Sequence, residues 1–465
     1  MIVATSILQK ALDAALSTGA DFADVFLEDT YSSQLGFLQQ KADTAVVGQL
    51  YGAGIRLFFG HEIIYVTTND LTETGLVKAA LKAAQSRLQS ATLTANQTAA
   101  PLKLNPFDSI HKYGQRPWEM QRERKLNWLR SVDEIARTRN SNVTQVDAAL
   151  NEKFQRVQIA NSKGLLTYDE RAYTRLRVET FVEQNGVKES SHDLDGQLGT
   201  SEIYDSMNLR QLAESCVDRA TLLTTAKYAP AGEMPVVIDN SFGGVIFHEA
   251  CGHGLETTSV AKGASVFCGK LGQKIANDCV TAIDDGTIAN SWGSLSIDDE
   301  GLPTQRTVLI EKGVLKSYIV DEMGSRQTGY AKTGSGRRQS YRFAPASRMR
   351  NTFIGAGSDS FESMIRDVDY GLFAKKMGGG SVSPGTGDYN FQVQEGYIIR
   401  KGRIEEAVKG AALIGRGIDT LGKITKVSSD LKLATGMCGS VSGSIPTTVG
   451  QPQILVSSIM VGGRA

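Results

Sequence analysis

PVVIDNSFGGVIFHEACGHGLE, residues 235–256, divides the chain into two textures and holds its most chemically telling residues. PVVID reads as a strand, the glycine pair as a turn, and VIFHEA as a short apolar helix. Within that helix His248 and Glu249 are followed by His253, giving the pattern H-E-x-x-x-H. In the shorter H-E-x-x-H the two histidines stand about 40° apart around a helix and reach one metal ion together. One further residue turns them about 140° apart, so a regular helix cannot offer both rings to one ion. The spacing therefore predicts a widened or broken helix between 248 and 254, most simply a π-bulge at Gly252, where the missing Cβ frees the backbone.

Two imidazoles leave a catalytic metal site incomplete, because such sites take three protein ligands and keep a fourth position open. By chemistry the third ligand is one of Cys251, Cys268, Cys279, Cys438, Glu256, Asp298, Asp299 or Glu300. Cys438, in GMCGSVSGSIPTTVGQP (436–452), lies between glycines that permit close backbone approach. Its chemistry leaves two readings open, a ligand or a buried thiol. The run SIDDEG reads as a solvated turn. A plainer account of the motif itself, two hydrogen-bonded core histidines flanking a glutamate, stands beside the metal reading.

Before residue 229 the order is helix, strands, helix, twice. Apolar pairs from Ile7 to Leu16 mark a helix ended by Gly19. GIRLFFGHEIIYVTT (54–68) reads as two strands joined at Gly60 and His61. A helix capped by Asp70 or Thr72 is expected over 72–88, another over 119–138, and strands over 143–184 with turns at Asn161–Gly164 and Asn185–Gly186. Cys216 falls on the apolar face of a helix and reads as a core residue. Residues 91–107 read as a linker, a sub-boundary near 91–110. The fold class expected is α+β: an N-terminal α/β domain of helices and antiparallel strands over 1–228, and a mostly-β domain with a short metal-binding helix over 229–465. The glycine-dense MGGGSVSPGTGDYNF (377–391) lacks a P-loop ending and reads as a loop beside a cleft.

Lys plus Arg and Asp plus Glu number 50 each, so no net field favours nucleic acid or an anionic membrane, and neither is expected as a partner. GSGRRQSYRFAPASRMR (334–350), with five arginines, reads as a solvated face. His111 and His192 are expected at the surface. Five cysteines without close pairing, and no leader-like or membrane-spanning run, point to a reducing, cytoplasmic setting.

NSFGGVIFHEACGHGLE, SLSIDDEGLPTQRTVLIEKGVLKSYIVD (294–321) and GMCGSVSGSIPTTVGQP together resemble the TldD branch of the TldD/PmbA peptidases, and ALDAALSTGADFADVFLED (11–29) resembles that family's N-terminal region. The resemblance runs nearly end to end. It implies one divalent metal of the zinc type held by His248, His253 and Cys438, with Glu249 catalytic. It further implies peptide substrates admitted unfolded to a chamber formed with an inactive PmbA-like subunit, or a homodimer. Thr257-Thr258 departs from the Gly-Asp expected at that point in many relatives. A gyrase-modulator-like binding protein, with a structural metal or none, is the alternative from another class.

Overall fold

The structure is a computed structural model that describes residues 2–86, 97–111, 113–383 and 385–463. The expected linker over 91–107 and the sub-boundary near it lie in part outside the described residues.

The first helix, α1 (Thr5–Leu16), buries Leu8, Ala11, Leu12, Ala15 and Leu16 at helical spacing, and Gly19 follows with φ 87°. Three strands, β1 (Phe22–Leu38), β2 (Lys41–Phe59) and β3 (Glu62–Thr68), lead to α2 (Glu73–Gln85). Thr72 Oγ1 caps α2 by accepting the Gly75 amide at 3.1 Å, and Asp70 in turn accepts from Thr72. After β4 (Lys103–Leu104), the same order recurs: α3 (Arg122–Arg139), then β5 (Val143–Asn161), β6 (Leu165–Gln184) and β7 (Val187–Leu198), then a helix over Leu209–Thr225 with Cys216 fully buried. Asn185 and Gly186, both at positive φ, form the two-residue turn between β6 and β7.

The repeats join through β1 and β5, which run antiparallel with Thr30 opposite Gln155. The resulting seven-stranded sheet runs β3-β2-β1-β5-β6, with β4 and β7 on the same outer edge of β6. Its alternation leaves Thr30, Ser32, Lys153, Tyr173 and Arg175 on one face.

From Lys227 onward the structure is mostly β. Six strands pair in the order Val314–Leu315, Arg306–Glu311, Ala282–Asp285, Asn351–Ile354, Gly443–Gln451, Lys432–Ser440. A second set forms a closed ring, because Tyr370–Ser383 pairs with both Gly232–Ile238 and Asp388–Arg400, and Ile454–Gly462 and Ala412–Arg416 complete the circuit. Closure removes the free edges that an open sheet would expose. Residues 377–383 and 388–391 of the glycine-dense stretch therefore lie in the strand pair Tyr370–Ser383 and Asp388–Arg400 rather than in a loop. Its glycines permit register shifts and close approach, since a Cβ on Gly380 would stand 2.2 Å from Asn390 O.

The acidic run 298–300 is not a solvated turn. Asp298, Asp299 and Glu300 are all buried, and they tie the later sheets to the first one. Arg56 on β2 donates to Asp24 at 2.5 Å and to Glu300 at 2.9 Å, and Arg171 on β6 donates to Asp299 at 2.5 Å. Asp298 instead accepts three backbone amides, those of Glu300, Leu302 and Gly336. The arginine run is corrected likewise. Arg337, Arg338, Arg348 and Arg350 are buried and only Arg342 is exposed, because each buried guanidinium finds carbonyls or a carboxylate, as Arg350 does with Asp284 at 2.9 Å. His192 is exposed as expected, whereas His111 is buried, its Nδ1 accepting the Asn290 amide. No helix among the described residues is long and apolar enough to cross a membrane.

Candidate metal centre

Strand Gly232–Ile238 enters helix Val245–Ala250 through a tight turn over Ser241–Gly244. A Cβ on Gly244 would lie 2.3 Å from Gly450 O, so glycine lets the helix start against the strand Gly443–Gln451. Val245, Ile246, Phe247 and Ala250 pack into the core shared by the closed ring and the six-stranded sheet. Burial on two sides fixes the helix, and with it His248.

The helix is broken between 248 and 254 as its spacing requires, though by a different device from the π-bulge expected at Gly252. It ends at Cys251 (φ −125°, ψ −49°), and Gly252–Leu255 continues as a tighter 3₁₀ turn. Gly252 serves packing: a Cβ there would stand 2.2 Å from Met349 Sδ. The break swings His253 round until the two imidazole centroids lie 5.3 Å apart with their planes at 82°.

Cys438 arrives on strand Lys432–Ser440 and places its Sγ 3.2 Å from His253 Nε2. Ligand atoms of His248, His253 and Cys438 all lie within 4.8 Å of one another, and all three residues are buried. The other candidates for a third ligand point elsewhere. Cys251 faces the apolar core, where burial pushes its thiol far up. Cys268 and Cys279 turn their sulfurs toward the carbonyls of Val260 and Ile424. Asp298, Asp299 and Glu300 are held in the contacts described above. Glu256 stands one step back, its Oε2 3.0 Å from His253 Nδ1 and its Oε1 accepting the Met349 amide at 3.2 Å.

The donor set suits a borderline-soft divalent cation, which two imidazoles and a thiolate bind as a group. Burial alone would raise the Cys438 thiol, but the adjacent His248 and His253 rings more than reverse this and bring it down to about 5. Burial likewise opposes charge on His253, while the Glu256 carboxylate and Cys438 hold it well above the usual histidine range. His248 Nδ1 is buried without a hydrogen-bond partner among the described residues, an arrangement that is costly unless something binds it. The residues therefore fit such an ion.

Glu249 is the one member of the motif that reaches solvent, with 27% of its side chain exposed and Oε2 3.6 Å from His253 Nε2. Arg348 is the residue that sequence reading missed. Fully buried, it donates to Cys438 O at 2.6 Å, Ser442 Oγ at 2.9 Å and Gly443 O at 2.9 Å, while its Nε lies 3.9 Å from Glu256 Oε1. It links the strand bearing Cys438 to the carboxylate behind His253. Thr257, at the departure noted in the sequence, is turned away toward Asp321 and the Ile319 carbonyl.

The fold and this cluster define a mixed α+β protein with a prospective buried nitrogen and sulfur metal centre. The chain belongs to the PmbA/TldD family: models described as PmbA/TldA metallopeptidase domain 1, central domain and C-terminal domain match residues 23–87, 115–224 and 231–463. It is 35% identical to a metalloprotease TldD homolog of Haemophilus influenzae, over 99% of this chain and 97% of that one. It is 25% identical to a zinc metalloprotease TldD homolog of Saccharolobus solfataricus, over 98% and 99%. Among solved structures it shares its fold with TldE of Thermococcus kodakarensis (TM-score 0.78, 17% identity, 98% and 100% covered). A Thermotoga maritima protein described as a candidate modulator of a DNA gyrase also shares it (TM-score 0.80, 20% identity, 98% and 99% covered).

Proposed function

We propose that this chain is a metal-dependent peptidase that holds one zinc-type divalent ion through His248, His253 and Cys438 and uses Glu249 as its general base. The observation that supports the reading is the convergence of ligand atoms within 4.8 Å although Cys438 lies 185 residues beyond His253. The metalloprotease names of relatives similar over nearly the whole chain point the same way.

An ion bound there supplies Lewis-acid polarisation of a peptide carbonyl and brings the pKa of water down to about 7. Glu249, partly exposed beside His253, takes the proton from water and returns it to the leaving amine, one carboxylate serving first as base and then as acid. Glu256 fixes the ring and tautomer of His253 through Nδ1. Arg348 holds the Cys438 strand at its distance by clamping carbonyl oxygens on both sides of the hairpin tip.

The same reading includes a division of the chain near residue 228, short or unfolded peptides as substrates, a cytoplasmic setting in keeping with five free cysteines, and association with a PmbA- or TldE-like subunit or a second copy. The gyrase-modulator alternative loses its main sequence feature, since four of the five arginines in 334–350 are buried and engaged within the chain. Glu249→Ala is the deciding variant: metal content should match wild type while peptide cleavage is lost. Cleavage at near the wild-type rate would remove Glu249 from the mechanism. Strong DNA binding that falls steeply with salt would favour the modulator instead.

A further inference from the structure

A cleft of about 710 Å³ lies between the face of β2, β1, β5 and β6 described above and the hairpin that carries Cys438. Its walls are largely apolar, from Val46, Leu50, Tyr173, Trp292, Phe343 and Met437. Trp292 joins the two sides, packing edge-on to Tyr173 at 5.3 Å and donating from Nε1 to Gly436 O at 2.8 Å. Met437 and Cys438 are neighbours on one strand and point to opposite faces, so the cleft and the candidate metal centre share a single strand as their partition.

Three cations face this cleft: Lys153, Arg175 and Arg342. Among the described residues none of them has a hydrogen-bonded acid. Lys153 lies over the Tyr173 ring at 5.8 Å, Arg175 over the Trp292 ring at 5.7 Å with its Nε buried and unpartnered, and Arg342 over the Tyr341 ring at 5.7 Å. Both acids at the cleft are already engaged. Glu28 accepts from Thr30, Gln155 and the Tyr341 amide, and Glu152 from Ser33, Tyr204 and Lys125. In the β5–β6 register Lys153 opposes Tyr173 and Asn151 opposes Arg175, so the two residues are diagonal neighbours on one face, their backbones roughly 7–8 Å apart. Burial, together with the nearby Arg171 and Arg337, holds the Lys153 ammonium below its usual range, although Glu28 and Asp299 counter them, so an incoming anion would stabilise its charge.

We propose that this cleft is a carboxylate-recognising subsite: it takes a peptide segment with apolar side chains against Trp292 and Met437 and its carboxylate among Lys153, Arg175 and Arg342. This deepens the peptidase reading and rests on it. Apolar walls and engaged acids suit a peptide with one or two carboxylates rather than a polyanion. The carboxylate can come from a free C-terminus or from an Asp or Glu side chain.

The test uses the full chain with Glu249→Gln to stop turnover, and one fluorescent octapeptide of apolar residues in four forms: free C-terminus, C-terminal amide, amide with an internal Asp, amide with an internal Asn. Anisotropy should show at least one carboxylate form binding about tenfold tighter than its neutral counterpart. Arg175→Gln, and the exposed Arg342→Gln, which leaves the buried structure untouched, should each reduce that preference to about twofold. Preference for the free C-terminus alone, or for internal Asp alone, identifies the source. Equal affinity for all four forms, or an unaltered preference in both variants, overturns the proposal. So does a protein whose self-association, and not its peptide binding, is lost in the variants, since a second copy would then fill the cleft. If wild type cleaves no peptide while the preference and its loss hold, the peptidase reading fails and the subsite stands; cleavage without preference gives the reverse.

Discussion

Glu256 Oε2 lies 3.0 Å from His253 Nδ1, and the same carboxylate takes the Met349 amide on its other oxygen, so the imidazole is oriented from behind by a group that is itself immobilised. Carboxylates in this position set the tautomer and basicity of a metal-binding histidine, and their loss typically weakens metal affinity by about 10- to 100-fold. Glu256→Gln should retain the fold and show a loss of that size in a competitive chelator titration. Unchanged affinity would mean that Glu256 does no more than hold the Met349 backbone.

Cys438→Ala removes the thiol that lies beside the two histidines. Purified protein should carry little zinc by elemental analysis, while its circular dichroism stays that of wild type. Full zinc content in this variant would take Cys438 out of the site.

Gly252 has no room for a side chain, because its Cβ would meet Met349 Sδ at 2.2 Å in a fully buried spot. Gly252→Ala should destabilise the protein by about 1–3 kcal/mol in chemical denaturation and weaken metal binding by moving His253. Adding Met349→Ala should recover metal affinity in part, even though it opens a cavity of its own. No recovery in the double variant would place the defect in the backbone rather than in this contact.

Arg56 donates to both Asp24 and Glu300 where all three are out of water, a single positive charge facing two carboxyl groups. Removing one partner of a buried ion pair typically costs about 3–5 kcal/mol, so Arg56→Met should lower unfolding free energy by that amount. Triple replacement with Asp24→Asn and Glu300→Gln should restore most of it. A loss below 1 kcal/mol in the single variant would show water reaching the carboxylates.

His111 is held down to about 4 by burial and by the Arg171 charge. Its folded form stays neutral while the unfolded residue titrates near 6.5, so the stability it contributes is present above pH ~6.5 and is lost as pH falls toward 4. Denaturation at pH 7, 5.5 and 4.5 should show a shallower decline in His111→Asn than in wild type. Parallel declines would exclude His111 as a source of the acid sensitivity.

The backbone geometry of the candidate centre was legible in the sequence where it depended on spacing: six consecutive residues, His248 to His253, are enough to require a break in the helix. Its neighbours were not. Asp299 and Glu300 look like turn residues because the cations that neutralise them, Arg171 and Arg56, stand 128 and 244 positions away. Arg348 looked solvated for the same reason, its acceptors at 438 and 442–443 being invisible until the hairpin folds over it. The helix and strand order before residue 229 was readable from local periodicity and Asn-Gly turns, whereas Gly378, Gly379 and Gly380 suggested a loop because glycine in a bulged strand carries no alternation to read.

The ties from 298–300 to β2 and β6 also bear on how this protein can be taken apart. Without those strands Glu300 would lose Arg56 and Asp299 would lose Arg171, with Arg338 still beside Asp299. Grafting the portion bearing the motif, or expressing it alone, should therefore go better with Arg56 and Arg171 carried along or with Glu300 and Asp299 made neutral, since both ion pairs cross to the earlier sheet.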